Sequence, residues 1–351
     1  MRICFLEGDM SRHGGTERMA AWLANALCEK NEVHVVSLRM GEGAVFFPLE
    51  ERVTHTVSPA YSGKLGIWKQ IRWIRKYLKE HKIDRVINVD AGIGFYGILA
   101  AKGTGARVIT WEHGNFYNNW CSRVFPYMRR YAAKKSDAVV VLTDKDRNNY
   151  LENIKGCAPV HTIANPAQMH EFTYDTNSKI ILSVGHLLPN KGYLRVVEMA
   201  KKLLPSRPDW KWVICGEGPQ RKELEAAVAE AGLQDRLLLP GVQKDMDAWY
   251  RSAAMLVLTS DMEGLPMTLL EAKSWGLPLV AFDIMTGPSD IIDHEKNGYL
   301  IQPFDLDAMA DGIGKLMDDE LARRVMSDRA HEGMEKFFAQ RILAAWEDIL
   351  Q

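Results

Sequence analysis

The chain has 351 residues and a net charge of −1, and 47% of it is hydrophobic against 25% charged. These values are typical of a soluble globular protein with room for two domains. No apolar run approaches the roughly 18 residues of a membrane-spanning helix, and the first one is broken at Glu7, too early for a signal peptide. The cysteines are scattered without CxxC or zinc spacing, which argues against a disulfide framework and indicates a reducing compartment; they are residues 4, 28, 121, 157 and 215.

Charge is divided unevenly between the two halves of the chain. Residues 1–165 carry 24 Lys and Arg against 16 Asp and Glu, whereas residues 166–351 carry 20 against 29. A split of this size indicates two domains that meet different partners.

The first half alternates strand and helix signals, the pattern of a parallel α/β sheet. It opens with a buried strand at 2–8, a glycine-containing turn and a helix from about Glu17 to Lys30. Further strands are predicted at 32–38, 84–90, 106–112 and 137–143. Polar, glycine-rich turns follow the strands, where open α/β sheets bind ligands.

After an aperiodic linker at 164–178 the alternation starts again, with strands predicted at 179–185, 211–216, 236–241, 253–259 and 278–282. We therefore predict two Rossmann-like, doubly wound domains that face each other across a cleft. The predicted boundaries are 1–165 and 166–335, with a C-terminal helix at 336–351 that can return to the N-terminal domain.

Two turns in the first half carry candidate site residues. Gly14 and Gly15 precede a helix, where backbone N–H groups can cradle a phosphate, although paired glycines also occur in ordinary turns. His113 follows a strand and precedes Gly114. An imidazole at a strand's carboxyl end favours a functional role over a structural one.

Two turns in the second half have the same setting. Lys191 lies at a helix start after the strand that ends at Gly185, and a cation there suits a diphosphate. Gly216 opens a tight turn with room for a flat ligand, although a plain strand-to-helix turn is an equal alternative.

The most informative stretch is EGLPMTLLEAKSWGLP at 263–278. If a helix opens at its Gly-Leu-Pro step, Glu263 and Glu271 are eight residues apart and share one helix face, about 12 Å from end to end. That span suits a sugar nucleotide lying along the helix, with Gly264 leaving space for close backbone approach. An ordinary amphipathic helix is the alternative.

Five motifs together resemble the family-4 retaining glycosyltransferases of the GT-B fold, over nearly the whole chain. They are GGTER (14–18), EHG (112–114), GHLLPNKG (185–192), GEGP (216–219) and EGLPMTLLEA (263–272). The GGTER start and the Asn165-Pro166 step are similar to the branch that extends lipid-linked or surface bacterial glycans.

The resemblance implies transfer of a sugar from a nucleotide diphosphate donor, with a UDP-sugar as first choice, to a glycan hydroxyl with retained configuration. It implies catalytic roles for His113, Lys191 and Glu263. Donor contacts are implied for Gly14, Gly15, His186, Lys191, Gly216, Glu263, Gly264, Leu265 and Glu271. In the family's course of reaction the departing phosphate oxygen helps to deprotonate the acceptor.

One position departs from the family pattern. Where the family usually has an Arg beside the Lys, this chain has His186. An imidazole is charged only in part near neutral pH, so Lys191 is expected to carry most of the diphosphate's charge. Arg12 or Arg18 can supplement it beside the Gly14-Gly15 turn.

Two other functions fit parts of the sequence. Gly92, Gly94 and Gly97 match the dinucleotide fingerprint GxGxxG, and Glu112 lies 20 residues past Gly92, so an NAD(P)-dependent oxidoreductase is one alternative. It leaves the second half's motifs without a task. A non-catalytic sugar-nucleotide-binding protein is the other.

We expect no metal or other cofactor. Three Asp-x-Asp pairs resemble metal motifs, but each lies where a helix should begin, and we interpret them as helix N-caps. They are Asp144 with Asp146, Asp245 with Asp247, and Asp305 with Asp307.

The segment 64–85 has eight Lys and Arg against Glu80 and Asp84, interleaved with aromatic residues. Apolar residues at 67, 71, 74 and 78 predict one core-facing stripe. We expect either a solvated surface helix or a face that docks on anionic lipid together with Arg123, Arg129, Arg130, Lys134 and Lys135. The expected location is the cytoplasm, at the inner face of the plasma membrane, near a polyprenyl-linked glycan acceptor and with no nucleic-acid partner.

Overall fold

The computed structural model describes residues 1–41, 43–62, 65–119 and 122–351. The chain divides into two compact units. The first contains Met1–Asn165 together with Gln340–Gln351, and the second contains Pro166–Ala339. Lys64 of the predicted basic helix and Cys121 lie outside the described residues.

The first unit is built on a parallel sheet of seven strands in the order β3-β2-β1-β4-β5-β6-β7. The strands are β1 Arg2–Glu7, β2 Glu32–Ser37, β3 Val53–Val57, β4 Arg85–Val89, β5 Arg107–Trp111, β6 Ala138–Val141 and β7 Val160–Thr162. The helices are α1 Gly15–Leu27, α2 Gly66–Glu80, α3 Ala91–Ala101, α4 Phe125–Lys135 and α5 Asp144–Asn153.

The order of this sheet reverses beside β1. Residue Ile3 of β1 pairs with Val33 on one side and with Arg85 of β4 on the other. Because the chain winds away from β1 in both directions, the turns after β1 and β4 leave a crevice at their carboxyl ends. Glu7 and Asp90 lie there.

The second unit has a parallel sheet of six strands in the order β10-β9-β8-β11-β12-β13. The strands are β8 Ile180–Val184, β9 Lys211–Cys215, β10 Leu237–Gly241, β11 Met255–Leu258, β12 Leu279–Phe282 and β13 Gly298–Ile301. The helices are α6 Tyr193–Leu203, α7 Arg221–Glu230, α8 Met246–Ser252, α9 Met267–Ser274, α10 Pro288–Ile291, α11 Leu306–Asp318 and α12 Glu320–Asp328. Short 3₁₀ turns occupy Pro189–Lys191 and Met334–Phe337.

Here the order reverses between β8 and β11, which pair directly, Met255 with Ile181. The turns that follow these two strands carry the Lys191 and Glu263 motifs. The sheet is buried on both faces, with Trp212, Leu256 and Val280 fully enclosed. Such a core explains why these strands are continuous apolar runs.

The last helix, α13 Ala339–Leu350, belongs to the first unit although it follows the second in sequence. Trp346 is fully buried, and its ring packs edge-on against Trp111 of β5 with ring centroids 4.9 Å apart. The carbonyl oxygen of Leu350 accepts a hydrogen bond from Arg85 Nε at 2.6 Å.

The predicted α/β class with parallel sheets is confirmed. Three strands were not predicted from the sequence, namely β3, β7 and β13, and all three lie at sheet edges. An edge strand is covered less completely, so its sequence can alternate polar and apolar residues. Val53–Val57, for example, reads VTHTV and is mostly exposed or half-buried.

Two of the three Asp-x-Asp pairs provide helix N-caps as predicted. The Asp245 carboxylate accepts from Ala248 N–H at 3.1 Å, and the Asp305 carboxylate accepts from Ala308 N–H at 2.9 Å. In the third pair the N-cap is Thr143, whose hydroxyl accepts from Asp146 N–H at 3.1 Å. Within the described part of the chain no group of three His, Cys, Asp or Glu is placed to hold a metal ion.

Candidate functional site

The turn after β1 is held by buried carboxylates. Asp9 accepts hydrogen bonds from the N–H groups of Ser11 at 3.0 Å and Gly41 at 3.2 Å. Gly14 is the N-cap of α1, and a side chain there would collide with the Glu17 carboxylate that folds back beside it. The N–H of Gly15 opens α1, among the amides that have no partner inside a helix.

Two carboxyl groups at this edge have pKa values well above their usual range. Burial raises the pKa of Glu7 to about 8, with a further contribution from the charge of Glu17. Burial also raises the pKa of Asp90 to about 7, supported by the nearby charge of Glu112. The edge of the first sheet is therefore less negative than its sequence suggests.

His113 is a neutral imidazole. Its ring packs against Trp111 with centroids 4.1 Å apart, and burial lowers its pKa to about 3. Its Nε2 atom is buried and has no hydrogen-bond partner among the residues that the structure describes. A neutral ring can donate one hydrogen bond to a sugar hydroxyl, or accept one from it, without changing charge.

The dinucleotide interpretation of Gly92, Gly94 and Gly97 is wrong, because all three lie inside α3 rather than in a turn before it. A side chain at Gly97 would collide with Asn88, and one at Gly94 would lie 2.8 Å from Ala132 Cβ. These glycines allow α3 to pack closely.

Glu112, the ribose-binding acid expected in the dinucleotide interpretation, instead binds another side chain of the protein. Glu112 is fully buried and forms an ion pair with Arg129 at 2.9 Å. Burial of this pair also corrects the predicted lipid face, because Arg129 is 1% exposed and cannot reach a membrane.

In the second unit the turns after β8 and β9 are fastened together. Leu187 N–H donates to the Glu217 carbonyl at 2.8 Å, and Gly185 N–H donates to the Cys215 carbonyl at 3.0 Å. A side chain at Gly216, where φ is 151°, would collide with the Gly185 backbone. Gly216 is therefore required for packing, whether or not a ligand lies beside it.

Lys191 and Glu263 meet at the point where this sheet's order reverses. Lys191 Nζ lies 2.6 Å from Glu263 Oε1, and both side chains are largely buried. Thr259, at the end of β11, donates its hydroxyl to the Lys191 carbonyl at 2.8 Å. Its own carbonyl accepts from Arg195 at 3.0 Å. Neither Thr259 nor Arg195 was identified from the sequence.

The prediction that Glu263 and Glu271 share one helix face is wrong. Helix α9 begins at Met267, and its N-cap Pro266 has an extended conformation with φ −70° and ψ 107°. A residue that precedes proline is disfavoured from the helical region, so Leu265 cannot continue the helix backwards. Only Glu271 is helical, while Glu263 lies in the preceding loop.

That loop is fixed by its neighbours. Leu265 is buried, Gly264 packs against the turn at Gly287, and the Glu263 carbonyl accepts from the Thr286 hydroxyl at 2.5 Å. Thr286 lies in none of the motifs recognised in the sequence, so the sequence did not identify it.

Glu271 is held by a tyrosine from a neighbouring helix. Tyr250 of α8 is buried and donates its hydroxyl to Glu271 Oε2 at 2.6 Å. The two residues are 21 positions apart, and no pattern in the sequence connects them.

The half-buried His186 lies in the turn after β8, with its carbonyl accepting from Leu188 N–H at 2.8 Å.

The structure thus distributes the predicted residues over the two units. Lys191, Glu263 and Glu271, with His186, Gly216, Gly264 and Leu265, belong to the second unit, whereas Gly14, Gly15 and His113 belong to the first. Among the described residues, Lys191 and Glu263 are a predicted pair that the structure brings into direct contact.

The basic helix also differs from its prediction. Ile71, Ile74 and Leu78 of α2 are buried as expected, but Ile67 is 47% exposed and Trp68 is 57% exposed. The apolar stripe therefore leaves the core at the first turn of the helix.

Two known families divide this chain between them. Residues 13–169 match Glycosyltransferase Family 4, and residues 165–333 match Glycosyl transferases group 1. An uncharacterized glycosyltransferase of Haemophilus influenzae is 28% identical over 99% of this chain and 99% of its own length.

A Campylobacter jejuni relative, named as an alpha-1,4-N-acetyl-D-galactosaminyltransferase for a GalNAc-containing diphospho-undecaprenol glycan, is 28% identical over 99% of this chain and 97% of its own. A crystal structure of Staphylococcus aureus TarM with fondaparinux, alpha-GlcNAc-glycerol and UDP superposes with a TM-score of 0.74 at 25% identity. That match covers 80% of this chain and 59% of the TarM chain, and TarM is a GT-B protein.

Proposed function

Because this chain belongs to the GT-B glycosyltransferases that join a Family 4 domain to a group 1 domain, we propose that it transfers a sugar from a UDP-sugar to a lipid-linked bacterial glycan. We further propose that the acceptor is a hydroxyl group and that the anomeric configuration is retained. The glycosyltransferase activity follows from the family, and the donor, acceptor and stereochemistry are the proposal.

The observation that carries the proposal is the pairing of Lys191 with Glu263 at the carboxyl ends of β8 and β11. A cation for a diphosphate and a carboxylate for sugar hydroxyls stand side by side there. Glu271, on the helix after that loop, adds a second acceptor of hydrogen bonds for a ribose. UDP in the TarM structure and the undecaprenol glycan in the Campylobacter name support the choice of donor and acceptor.

In this proposal the protein acts by positioning and by electrostatic stabilisation. In the second unit, Lys191 neutralises charge on the leaving diphosphate and Glu263 orients the sugar hydroxyls. In the first unit, the helix-initial N–H of Gly15 is a donor for an anion, and the neutral His113 is a hydrogen-bond partner for a sugar hydroxyl. The departing phosphate oxygen takes the acceptor's proton, so no protein nucleophile is needed.

The proposal is tested by transfer assays with a panel of UDP-, GDP- and ADP-sugars and a synthetic diphospho-polyprenol glycan. We expect one UDP-sugar to be used and the product to keep the donor's anomeric configuration by NMR. Inverted product would contradict the stereochemistry. Transfer from GDP- or ADP-sugars alone would contradict the nucleotide.

We also propose that the first unit rests on anionic lipid through helices α2, α3 and α4. Among the described residues no helix is long and apolar enough to cross a bilayer. Helix α3 carries no charged residue and packs against both α2 and α4. Its side chains Phe95, Tyr96 and Leu99 are only half-buried.

Basic side chains flank this apolar helix on both sides. The exposed ones are Lys69, Arg72, Lys76 and Lys79 of α2 and Arg130, Lys134 and Lys135 of α4. Exposed Trp68 lies on the same helix as the first group. Tryptophan prefers the membrane interface, and each basic residue near an anionic surface contributes about 1 kcal/mol. A lipid-linked acceptor would be met at such a surface.

A further inference from the structure

The turn that carries His113 is held by charged side chains that the proposed reaction does not use. We define the His113 turn as residues 112–119, which follow β5. We propose that Arg129 and Tyr150 are positioning residues that fix the conformation of this turn and thereby the place of His113. This inference rests on the proposed function, since it assumes that His113 contacts the donor.

Glu112, the first residue of the turn, is completely buried and satisfied by three donors. Its Oε2 atom accepts from Arg129 Nε at 2.9 Å and from Tyr150 Oη at 2.8 Å. Its Oε1 atom accepts from the N–H of Gly114 at 3.2 Å. The Glu112 carboxylate therefore connects the turn to α4 and to α5. It also connects the residue before His113 to Gly114, the residue after it.

Arg129 spreads its remaining donors along the rest of the turn. Nη1 donates to the Phe116 carbonyl at 2.5 Å and to Asn119 Oδ1 at 3.2 Å, and Nη2 donates to the Asn118 carbonyl. The guanidinium also lies over the Phe125 ring, 4.7 Å from its centroid. A guanidinium offers five donors in a fixed plane, and here most of them are used on one loop.

A second contact reaches the turn from α5. The N–H of Phe116 donates to Asp146 Oδ1 at 2.7 Å, and the Phe116 ring packs edge-on against Tyr150 with centroids 5.2 Å apart. Side chains of α4 and α5 thus both hydrogen-bond to the backbone of Phe116.

The desolvation of the buried Glu112–Arg129 pair is costly, which indicates a role other than stability. Burying an ion pair seldom stabilises a fold more than apolar packing of the same volume, because both ions lose their hydration. What directed hydrogen bonds add is a single conformation. A fixed turn matters for His113, because a displacement of about 1 Å in a site can reduce a rate roughly a hundredfold.

Two conservative variants of the full-length protein separate positioning from folding. Arg129→Lys keeps the positive charge beside Glu112 but loses the fork that holds the Phe116 and Asn118 carbonyls. Tyr150→Phe removes only one hydroxyl. Tyr127→Phe is the matched control, because Tyr127 is 73% exposed on the same helix as Arg129.

We expect faster hydrogen–deuterium exchange at residues 114–119 in both variants. We also expect kcat to fall about a hundredfold in Arg129→Lys and about tenfold in Tyr150→Phe. The affinity for UDP should change less than twofold, because Lys191 and Glu271 belong to the other unit. Tyr127→Phe should match the parent in all three measurements.

Parent kcat in both Arg129→Lys and Tyr150→Phe would overturn the inference, whatever the exchange rates. Unchanged exchange together with reduced kcat would also overturn it, since the turn would then not be what these residues hold. His113→Ala distinguishes the two proposals. Full activity in that variant would contradict the proposed role of His113, whereas reduced activity there with normal activity in the other two would contradict only the positioning role.

Discussion

Lys191 and Glu263 are in direct contact, with Nζ and Oε1 2.6 Å apart. In the proposed reaction, a diphosphate at Lys191 competes with Glu263 for the ammonium group. Separation of the pair then releases the Glu263 carboxylate for the sugar. The two residues are 72 positions apart, each after a different strand of the sheet's switch point.

We predict that Glu263→Gln reduces transfer tenfold to a hundredfold, roughly the effect of losing a charged hydrogen bond, without weakening UDP binding. Glutamine is nearly isosteric but attracts Lys191 less, so the ammonium group becomes more available to the diphosphate. Steady-state kinetics and calorimetric titration with UDP measure the two effects. A parallel loss of transfer and UDP affinity would show that Glu263 serves the nucleotide instead.

Glu271 should show the opposite pattern. Glu271→Ala is expected to weaken UDP binding by roughly tenfold or more. Tyr250→Phe should weaken it by less, since in this proposal Tyr250 acts through Glu271, whose Oε2 accepts its hydroxyl at 2.6 Å. Calorimetry with UDP checks both. The conclusion fails if Tyr250→Phe weakens binding more than Glu271→Ala does.

Among the side chains proposed to bind the diphosphate, we predict that Lys191→Ala weakens UDP-sugar binding more than His186→Ala does. Lys191 lies beside Glu263 at the switch point of the second sheet, whereas His186 lies in the turn after β8. Calorimetric titration of both variants with the UDP-sugar measures the two losses. A larger loss of affinity in His186→Ala than in Lys191→Ala would contradict this order.

Asp146 should make the first unit less stable as pH rises. Burial raises its pKa from 3.8 to about 7, so between those values the folded protein keeps a proton that the unfolded chain releases. The unfolding free energy then falls with increasing pH across that window. Asp146→Asn should reduce this pH dependence, although Glu7 and Asp90 contribute with the same sign in both proteins. Hydrogen exchange of the first sheet's amides at pH 5 and pH 7 measures it, and equal slopes in parent and variant would contradict it.

At the scale of elements, the position of a helix decides what its side chains can do. Helices α2 and α4 are both basic, yet the first cation of α4, Arg129, faces inward to Glu112. The apolar helix α3 lies between them because its glycines allow close packing against Asn88 and Ala132. The result is an uncharged strip with basic margins.

We predict that the full-length protein sediments with vesicles of anionic phospholipid and that salt weakens this binding. Reversing three exposed charges of α2 should abolish it, through Lys69→Glu, Arg72→Glu and Lys76→Glu. A charge-matched control reverses three exposed lysines of the second unit, through Lys211→Glu, Lys222→Glu and Lys244→Glu. Equal loss in both triple variants would point to net charge, and equal binding to neutral vesicles would contradict the docking face.

For the whole molecule, the return of α13 makes the first unit depend on the end of the chain. Trp346 is fully buried against Trp111, and Trp111 in turn packs against His113. Lys30 of the first unit also forms an ion pair with Glu347 at 2.9 Å. The first unit is therefore completed only after the second has been synthesised.

We predict that Trp346→Ala costs about 3–5 kcal/mol, the usual range for truncating a buried tryptophan, and that the loss is confined to the first unit. Hydrogen exchange of β5 amides should accelerate, while amides of β8 and β11 stay protected. Trp68→Ala, at a side chain that is 57% exposed, is the control. Equal acceleration in both units would contradict the division.

The sequence alone determined the class of fold and the family. Central parallel strands are buried on both faces, so each is an apolar run that can be recognised without knowing its neighbours. The motifs follow such strands, which placed His113, Lys191 and Glu263 near the carboxyl ends of strands. These inferences use only local order along the chain.

Tertiary structure decided the features that depend on partners far apart in sequence. The edge strands β3, β7 and β13 are defined by the strand beside them. The pairing of Lys191 with Glu263 and the inward direction of Arg129 follow from which elements pack together. Periodicity gives the spacing of side chains along one element, but not what stands opposite, and burial and charge pairing depend on that.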